Sequence, residues 1–246
     1  MKKLKSEIQK MRGMTPREAL DYFWTYYKIH LMFAAIIIFF AVLIVQANFG
    51  KKRELVFAAL LVDTGIPQAA ADNAAAGFAR WLELDPETQH VTLDASVQIE
   101  GGTVAGVQKL MVSGAAGEID ALITSPDIAD FELKGGALSD LTVVLPEETL
   151  DRYADRLLYA DAEALSAWVE ANRAGEAEDV SLLSRESAGM ARPVPVGIDI
   201  TDACEAAFAR PAEYGKLIYT VAVTTRRQEE SGRFLDYLET LGGGAG

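Results

Sequence analysis

Hydrophobic and polar positions divide the chain into one long apolar segment and a following alternation of short strand-like and helix-like runs. Residues 29–49, IHLMFAAIIIFFAVLIVQANF, are apolar without a break from Leu31 to Val45 and are flanked by Lys28 and Lys51. A helix of this length, at about 1.5 Å per residue, spans about 31 Å, the thickness of a hydrocarbon core, so the pattern predicts a single transmembrane helix. Tyr22, Phe23, Trp24, Tyr26 and Tyr27 precede it as the aromatic belt expected at headgroup level. Thr15-Pro16-Arg17-Glu18 reads as a capping box with proline at the first helical position, which predicts a helix running into the span. A cleaved signal peptide ending after Ala47 is the rival reading, and the long basic stretch before the apolar run favours an uncleaved anchor.

Beyond Arg53 the period changes. Leu55 to Val62, Val91 to Ile99 and Ile119 to Ile123 read as strands, separated by helices over Ala69 to Leu84 and Thr103 to Ala115. A β-α-β-α-β order of this spacing predicts right-handed crossovers and a parallel sheet covered on both faces, an α/β sandwich. A short helix is expected over Pro126 to Leu133, a strand or extended passage over Leu138 to Val144, a helix over Pro146 to Ala154 and a strand over Arg156 to Tyr159. A helix over Ala162 to Ala171 is followed by an expected exposed loop from Asn172 to Arg192. Order then returns with a strand over Val194 to Ile200, a helix over Thr201 to Phe208, a strand over Leu217 to Thr224 and a closing helix over Arg226 to Leu241. The expected organisation is therefore a cytoplasmic basic and juxtamembrane part (1–28), the span (29–49), an α/β domain (55–241) and a flexible tail (242–246).

Charge sets the topology and narrows the partners. Seven basic and three acidic side chains lie in residues 1–50, against 16 and 33 in residues 51–246, for a net charge of −13. The basic excess before the span places the amino terminus in the cytoplasm and the large domain outside, although Lys51, Lys52 and Arg53 oppose this. A domain this acidic repels phosphate backbones, so nucleic acid is not expected as a partner. The lone Cys204 makes no intramolecular disulfide and no thiolate cage. With only His30 and His90, far apart in the chain, neither a histidine-based metal site nor a Ser/His/Asp triad is expected, and no cofactor and no enzymatic activity follow. Gly101 to Leu110, GGTVAGVQKL, lacks the G-K-S/T ending of a phosphate loop.

Four stretches carry a family likeness: EIDALITSPDIADF, GGALSDLTVVLPEETLDRYADRLLYA, PVPVGIDIT and LIYTVAVTTRRQEESGRFLDYLE. Together they resemble the type II periplasmic-binding-protein-like, solute-binding fold. With the juxtamembrane YFWTYYKIHLM they also resemble small membrane-anchored proteins of Gram-positive gut bacteria. The resemblance covers most of residues 55–241. It implies a late strand and helix returning to the first lobe, a polar turn between strand and helix lining a cleft, and a small solute presented to a transporter or receptor. Leu55 to Gly246 is short for this class, so the implied second lobe is small and the cleft shallow. A noncatalytic envelope scaffold that contacts another protein is the alternative.

Candidate site residues follow from where ligands sit in parallel α/β sheets, off the carboxyl ends of strands and against helix amino termini. Asp63, Thr64 and Gly65 end the first strand. Ser125 is placed to cap the next helix, with Pro126 at its first position and Thr124 and Asp127 adding a hydroxyl and a carboxylate. Asp199 and Thr201 supply a third rim position, with Asp63 or Asp199 suited to holding an amine or a sugar hydroxyl.

Overall fold

In the computed structural model, residues 15, 17, 24, 28–29, 32–43, 53–99 and 104–243 are described. Residues 32–43 are helical and belong to a unit, Met1–Lys52, separate from the unit Arg53–Gly246. Along this helix Phe33, Ile36, Ile37, Ile38, Phe39 and Phe40 are all exposed. Among the described residues no helix is long and apolar enough to cross a membrane. Pro16 and Glu18 of the expected capping box, the aromatic belt apart from Trp24, and residues 30–31 and 44–49 of the span lie outside the described residues.

From Arg53 onward the apolar runs form one seven-stranded sheet. Its strands are β1 (Glu54–Val62), β2 (Gln89–Val97), β3 (Ala121–Thr124), β4 (Leu157–Asp161), β5 (Leu183–Ser184), β6 (Pro193–Asp199) and β7 (Ile218–Val221), in the order β2-β1-β3-β7-β6-β4-β5. Helices α1 (Gln68–Trp81), α7 (Thr201–Phe208) and α8 (Gln228–Gly243) pack on one face through Phe57, Phe78, Cys204 and Phe234. On the other face lie α2 (Val104–Ala115), α3 (Pro126–Lys134) and α6 (Ala162–Ala174), against Leu60, Leu122, Leu158 and Ala160. The short α4 (Leu141–Val144) and α5 (Glu147–Arg152) link α3 to β4. Three layers result, because every interior strand is apolar on both faces and each face needs helices. Phe57, Phe78 and Phe234 meet at centroid distances of 4.9–5.6 Å and form the aromatic centre of the larger core.

Two expectations are corrected. The sheet is mixed: β1 pairs with β2 and β3 in parallel, whereas β3–β7, β7–β6, β6–β4 and β4–β5 are antiparallel. The cause is local pinning of the connection after β6. After β6 the chain runs through α7 and a loop but is pinned where the strand ended, since Thr201 Oγ1 accepts from Leu217 N–H at 3.0 Å. The chain therefore turns at the end it has just reached, where Ile200 N–H donates to Leu217 O at 3.0 Å, and β7 runs back beside β6. Nor, among the described residues, is there the expected small second lobe, since β4 to β6 continue the first sheet through β7.

Local differences have local causes. Leu138 makes only an isolated bridge to Ala222, and residues 141–144 are helical because the Asp140 carboxylate accepts from Thr142 N–H at 2.8 Å and so caps a turn. Asn172 to Arg192 is not all loop: α6 continues to Ala174, stopped by Gly175 at φ 76°, and β5 adds an edge strand. Buried Asp130 ties this region down, accepting from Leu182 N–H at 2.6 Å and from Lys134 Nζ at 2.7 Å.

Asp120 joins the pieces. It is fully buried at the start of β3. Arg227 Nε donates to both its carboxylate oxygens at 2.9 and 2.8 Å, Thr225 Oγ1 donates at 2.7 Å, and Ala58 N–H donates at 2.8 Å. Arg227 also donates to Leu55 O at 3.0 Å. One carboxylate thus links β1, β3, the turn after β7 and the entry to α8. Removing one partner of a buried pair costs about 3–5 kcal/mol, because the other charge is left uncompensated. Asp120→Ala should lower unfolding stability by that amount in denaturant titrations of the full chain in detergent. A loss under about 1 kcal/mol would contradict this role.

Candidate functional site

The carboxyl ends of β1, β3 and β6 lie at the same end of the sheet, since β6 is separated from β3 by the single antiparallel strand β7. The sequence-predicted residues therefore share an edge. They do not share one pocket.

At the end of β1, Asp63 takes φ 51° and accepts from Ile99 N–H at 3.0 and 3.1 Å. Thr64 is buried, and its hydroxyl accepts from Ile66 N–H at 3.2 Å. Gly65 adopts φ +70°, and a Cβ there would meet the Tyr214 ring at 2.6 Å, so this position holds glycine for both reasons. Buried Arg210, which sequence reasoning missed, fastens the turn: it donates to Thr64 O, Gly215 O and Tyr214 O at 2.5, 2.9 and 2.7 Å. Burial lowers the Arg210 pKa from its ordinary value. The depression beside this turn, about 230 Å³, is lined by Asp63, Thr64, Gly65, Pro67 and Gln98.

At the end of β3, Ser125 caps α3 as expected, accepting from Ile128 N–H at 3.4 Å, with Pro126 at the first position. Thr124 is completely buried, and its hydroxyl has no hydrogen-bond partner among the described residues. The expectation that Thr124 offers a hydroxyl at the rim is therefore corrected: its strand position turns it under α3. Asp127 faces a different hollow, between α3 and α6, shared with Phe131, Trp168 and Asn172.

The end of β6 is the most developed part of the edge. Asp199 is 7 % exposed and accepts from Thr201 N–H at 3.1 Å and Thr201 Oγ1 at 2.6 Å. Arg185 pairs with its second oxygen. Thr201 Oγ1 accepts in turn from Leu217 N–H at 3.0 Å, so Thr201 braces β6 against the start of β7 rather than capping α7. Burial alone raises the Asp199 carboxyl, but Thr201 and Arg185 outweigh it and hold the group below the usual carboxylate range. Here a cavity of about 340 Å³ is lined by Asp199, Thr201 and Asp202, with Arg156, Arg185 and Lys216 added from other segments. Asp155 also lines the cavity; Arg156 is engaged by Glu239 and, at 3.8 Å, by Asp155, and Arg185 by Asp199. Lys216 and Asp202 make no ion pair among the described residues, which leaves one charge of each sign open to the cavity. The three basic residues went unnoticed in sequence because they come from three separate connections, Arg156 from a 3-10 turn before β4 and the others from loops, each an ordinary charge by local pattern. Cys204, beneath this edge, is buried, and burial pushes its thiol up to about 12, so it is not a nucleophile. No cluster of His, Cys, Asp and Glu suited to a metal ion occurs among the described residues.

Comparison with known proteins gives structural neighbours only. No protein-family model matches the chain, and no curated protein matches it. Among similar solved structures, iron-bound HitA from Pseudomonas aeruginosa shares 12% identity over 76% of this chain and 83% of its own, with a TM-score of 0.35. The Bordetella ferric binding protein shares 14% identity over 75% of this chain and 80% of its own, with a TM-score of 0.34. The periplasmic binding protein P5PA shares 13% identity over 76% and 82%, with a TM-score of 0.33. The first is iron-bound, and the other two carry the name binding protein.

The Asp199 arrangement has a pH signature. A carboxyl held below its unfolded pKa stabilises the fold fully above about pH 4 and loses that contribution as pH falls through the folded value. Asp199→Asn should therefore be less stable than the parent at pH 7, with the difference shrinking below about pH 4 in denaturant titrations. An equal difference at pH 3 and pH 7 would contradict the arrangement.

Proposed function

We propose that the chain is a membrane-anchored, extracytoplasmic solute-binding module whose solute sits in the cavity at the end of β6. The observation that carries this reading is the pair of open charges, Lys216 and Asp202, facing one cavity whose other charges are internally neutralised. A small solute bearing both an anionic and a cationic group satisfies both, the anion on Lys216 and the cation on Asp202. Thr201, held by Asp199 and Leu217, offers its hydroxyl as a further contact. The cavity is at the small end of ligand pockets, which run from about 300 to 1,000 Å³.

Anchoring is part of the same proposal. The unbroken apolar run of residues 31–45 and the exposure of its side chains along the helical residues 32–43 support a span over residues 29–49. The basic excess before it supports a cytoplasmic amino terminus. The solute would then be handed to a transporter or receptor in the same membrane.

The second reading, a noncatalytic envelope protein that contacts another protein, is favoured by one feature: among the described residues all strands belong to one sheet, which leaves no cleft between two lobes there. Thermal unfolding of the full chain in detergent with a panel of amino acids, short peptides and sugars separates the two. A zwitterionic solute at 100 times its dissociation constant should add about 2.7 kcal/mol, and Lys216→Ala should remove most of the shift. No stabilisation by any member of the panel would reject the solute site and favour the interaction protein.

A further inference from the structure

A second hollow, on the opposite face of the sheet from α8, has a different chemistry. It lies between α2 and α3 and measures about 280 Å³. Its floor is apolar and buried, with Leu122 3 % and Ala222 5 % exposed. Its rim is apolar and open, with Met111 at 62 %, Phe131 at 57 % and Val223 at 57 %. Gly114 of α2 leaves a gap in the wall, since a Cβ at that position would meet nothing within 4 Å.

One ionisable group lines this hollow, Glu132 of α3. It is half-buried, and its side chain makes no hydrogen bond or ion pair among the described residues. The nearest basic residue in sequence, Lys134, is engaged by Asp130 at 2.7 Å. Burial without a compensating partner raises the Glu132 carboxyl above its ordinary value. An unpaired carboxylate in apolar surroundings is costly and is relieved by a cation that enters with it.

We propose that this hollow is a binding site for a small organic ammonium compound, its single amine paired with Glu132 and its hydrocarbon body laid on Leu122 and Ala222 against the Phe131 ring. Each alternative leaves something unsatisfied. A neutral hydrocarbon strands the carboxylate, an anion is repelled by it, and a polyhydroxylated solute gains nothing from the walls. The volume equals about nine waters at roughly 30 Å³ each, room for on the order of ten non-hydrogen atoms. The aromatic rim adds a face for a cation held beside it. This site is separate from the strand-end cavity and does not depend on it.

Phenethylammonium is the probe, with 2-phenylethanol as its neutral counterpart. Methyl-labelled methionine NMR on the full chain in nonionic detergent reads the hollow through Met111. The expected result is a saturable shift of the Met111 methyl with at least tenfold tighter binding of the amine than of the alcohol. Glu132→Gln should reduce that preference to less than threefold, and Gly114→Leu, which fills the gap, should abolish binding of both. No saturable shift, or a preference unchanged in Glu132→Gln, would overturn the proposal. Because Glu132→Gln alters only a half-buried helix side chain, its result stands even where Gly114→Leu fails to fold. A lysine-bearing amphipathic peptide that moves the Met111 methyl while the amine does not would also overturn it, assigning the hollow to a protein partner.

Discussion

The fold depends on how one buried carboxylate is satisfied. Asp120 stands where β3 begins, in an otherwise apolar strand, and takes donors from Ala58 on one side and Thr225 and Arg227 on the other. A charge with no solvent contact is tolerated only when its lone pairs are filled. Filling them requires β1, β3 and the turn after β7 to lie in one arrangement. That arrangement makes the late strand β7 the neighbour of β3, although nearly one hundred residues separate them in sequence. Everything from β6 to β5 then extends outward from β7.

This wiring determines where a ligand can go. In a two-lobed protein the site lies between lobes; here the sheet is continuous, and the usable polar surface is the end where β1, β3 and β6 finish. The same edge is finished differently at each strand. At β1 the turn is closed by Arg210 and the Tyr214 ring, at β3 Ser125 caps α3 and Thr124 is buried, and at β6 two charges stay open. The face carrying α2 and α3 keeps an apolar hollow with one unpaired acid, a chemistry suited to a different kind of small molecule.

Much of the fold was legible in sequence, because apolar runs bounded by turn residues report burial directly. The Ser125-Pro126 helix start and the strand at Leu55 to Val62 are examples. Strand direction was not legible: periodicity reports which faces are buried, whereas direction follows from tertiary contacts such as those of Ile200 and Thr201 with Leu217. The likeness to binding proteins correctly implied that the last strand and helix return to the first strands, but the separate second lobe it also implied is absent among the described residues. At the site, Asp199 and Thr201 were legible from their place after a strand. Arg156, Arg185 and Lys216 were not, since their convergence depends on tertiary structure. Asp120 did leave a signal, an acid interrupting the apolar run that begins at Ile119.

Native-state hydrogen exchange, resolved by residue, tests the continuous sheet most directly. The account predicts that the slowest amides of β3, β7, β6 and β4 exchange through one opening, with the same free energy as global unfolding. If β4 and β6 opened together at a distinctly lower free energy while β1, β3 and β7 stayed closed, the protein would be two-lobed and the account would be wrong.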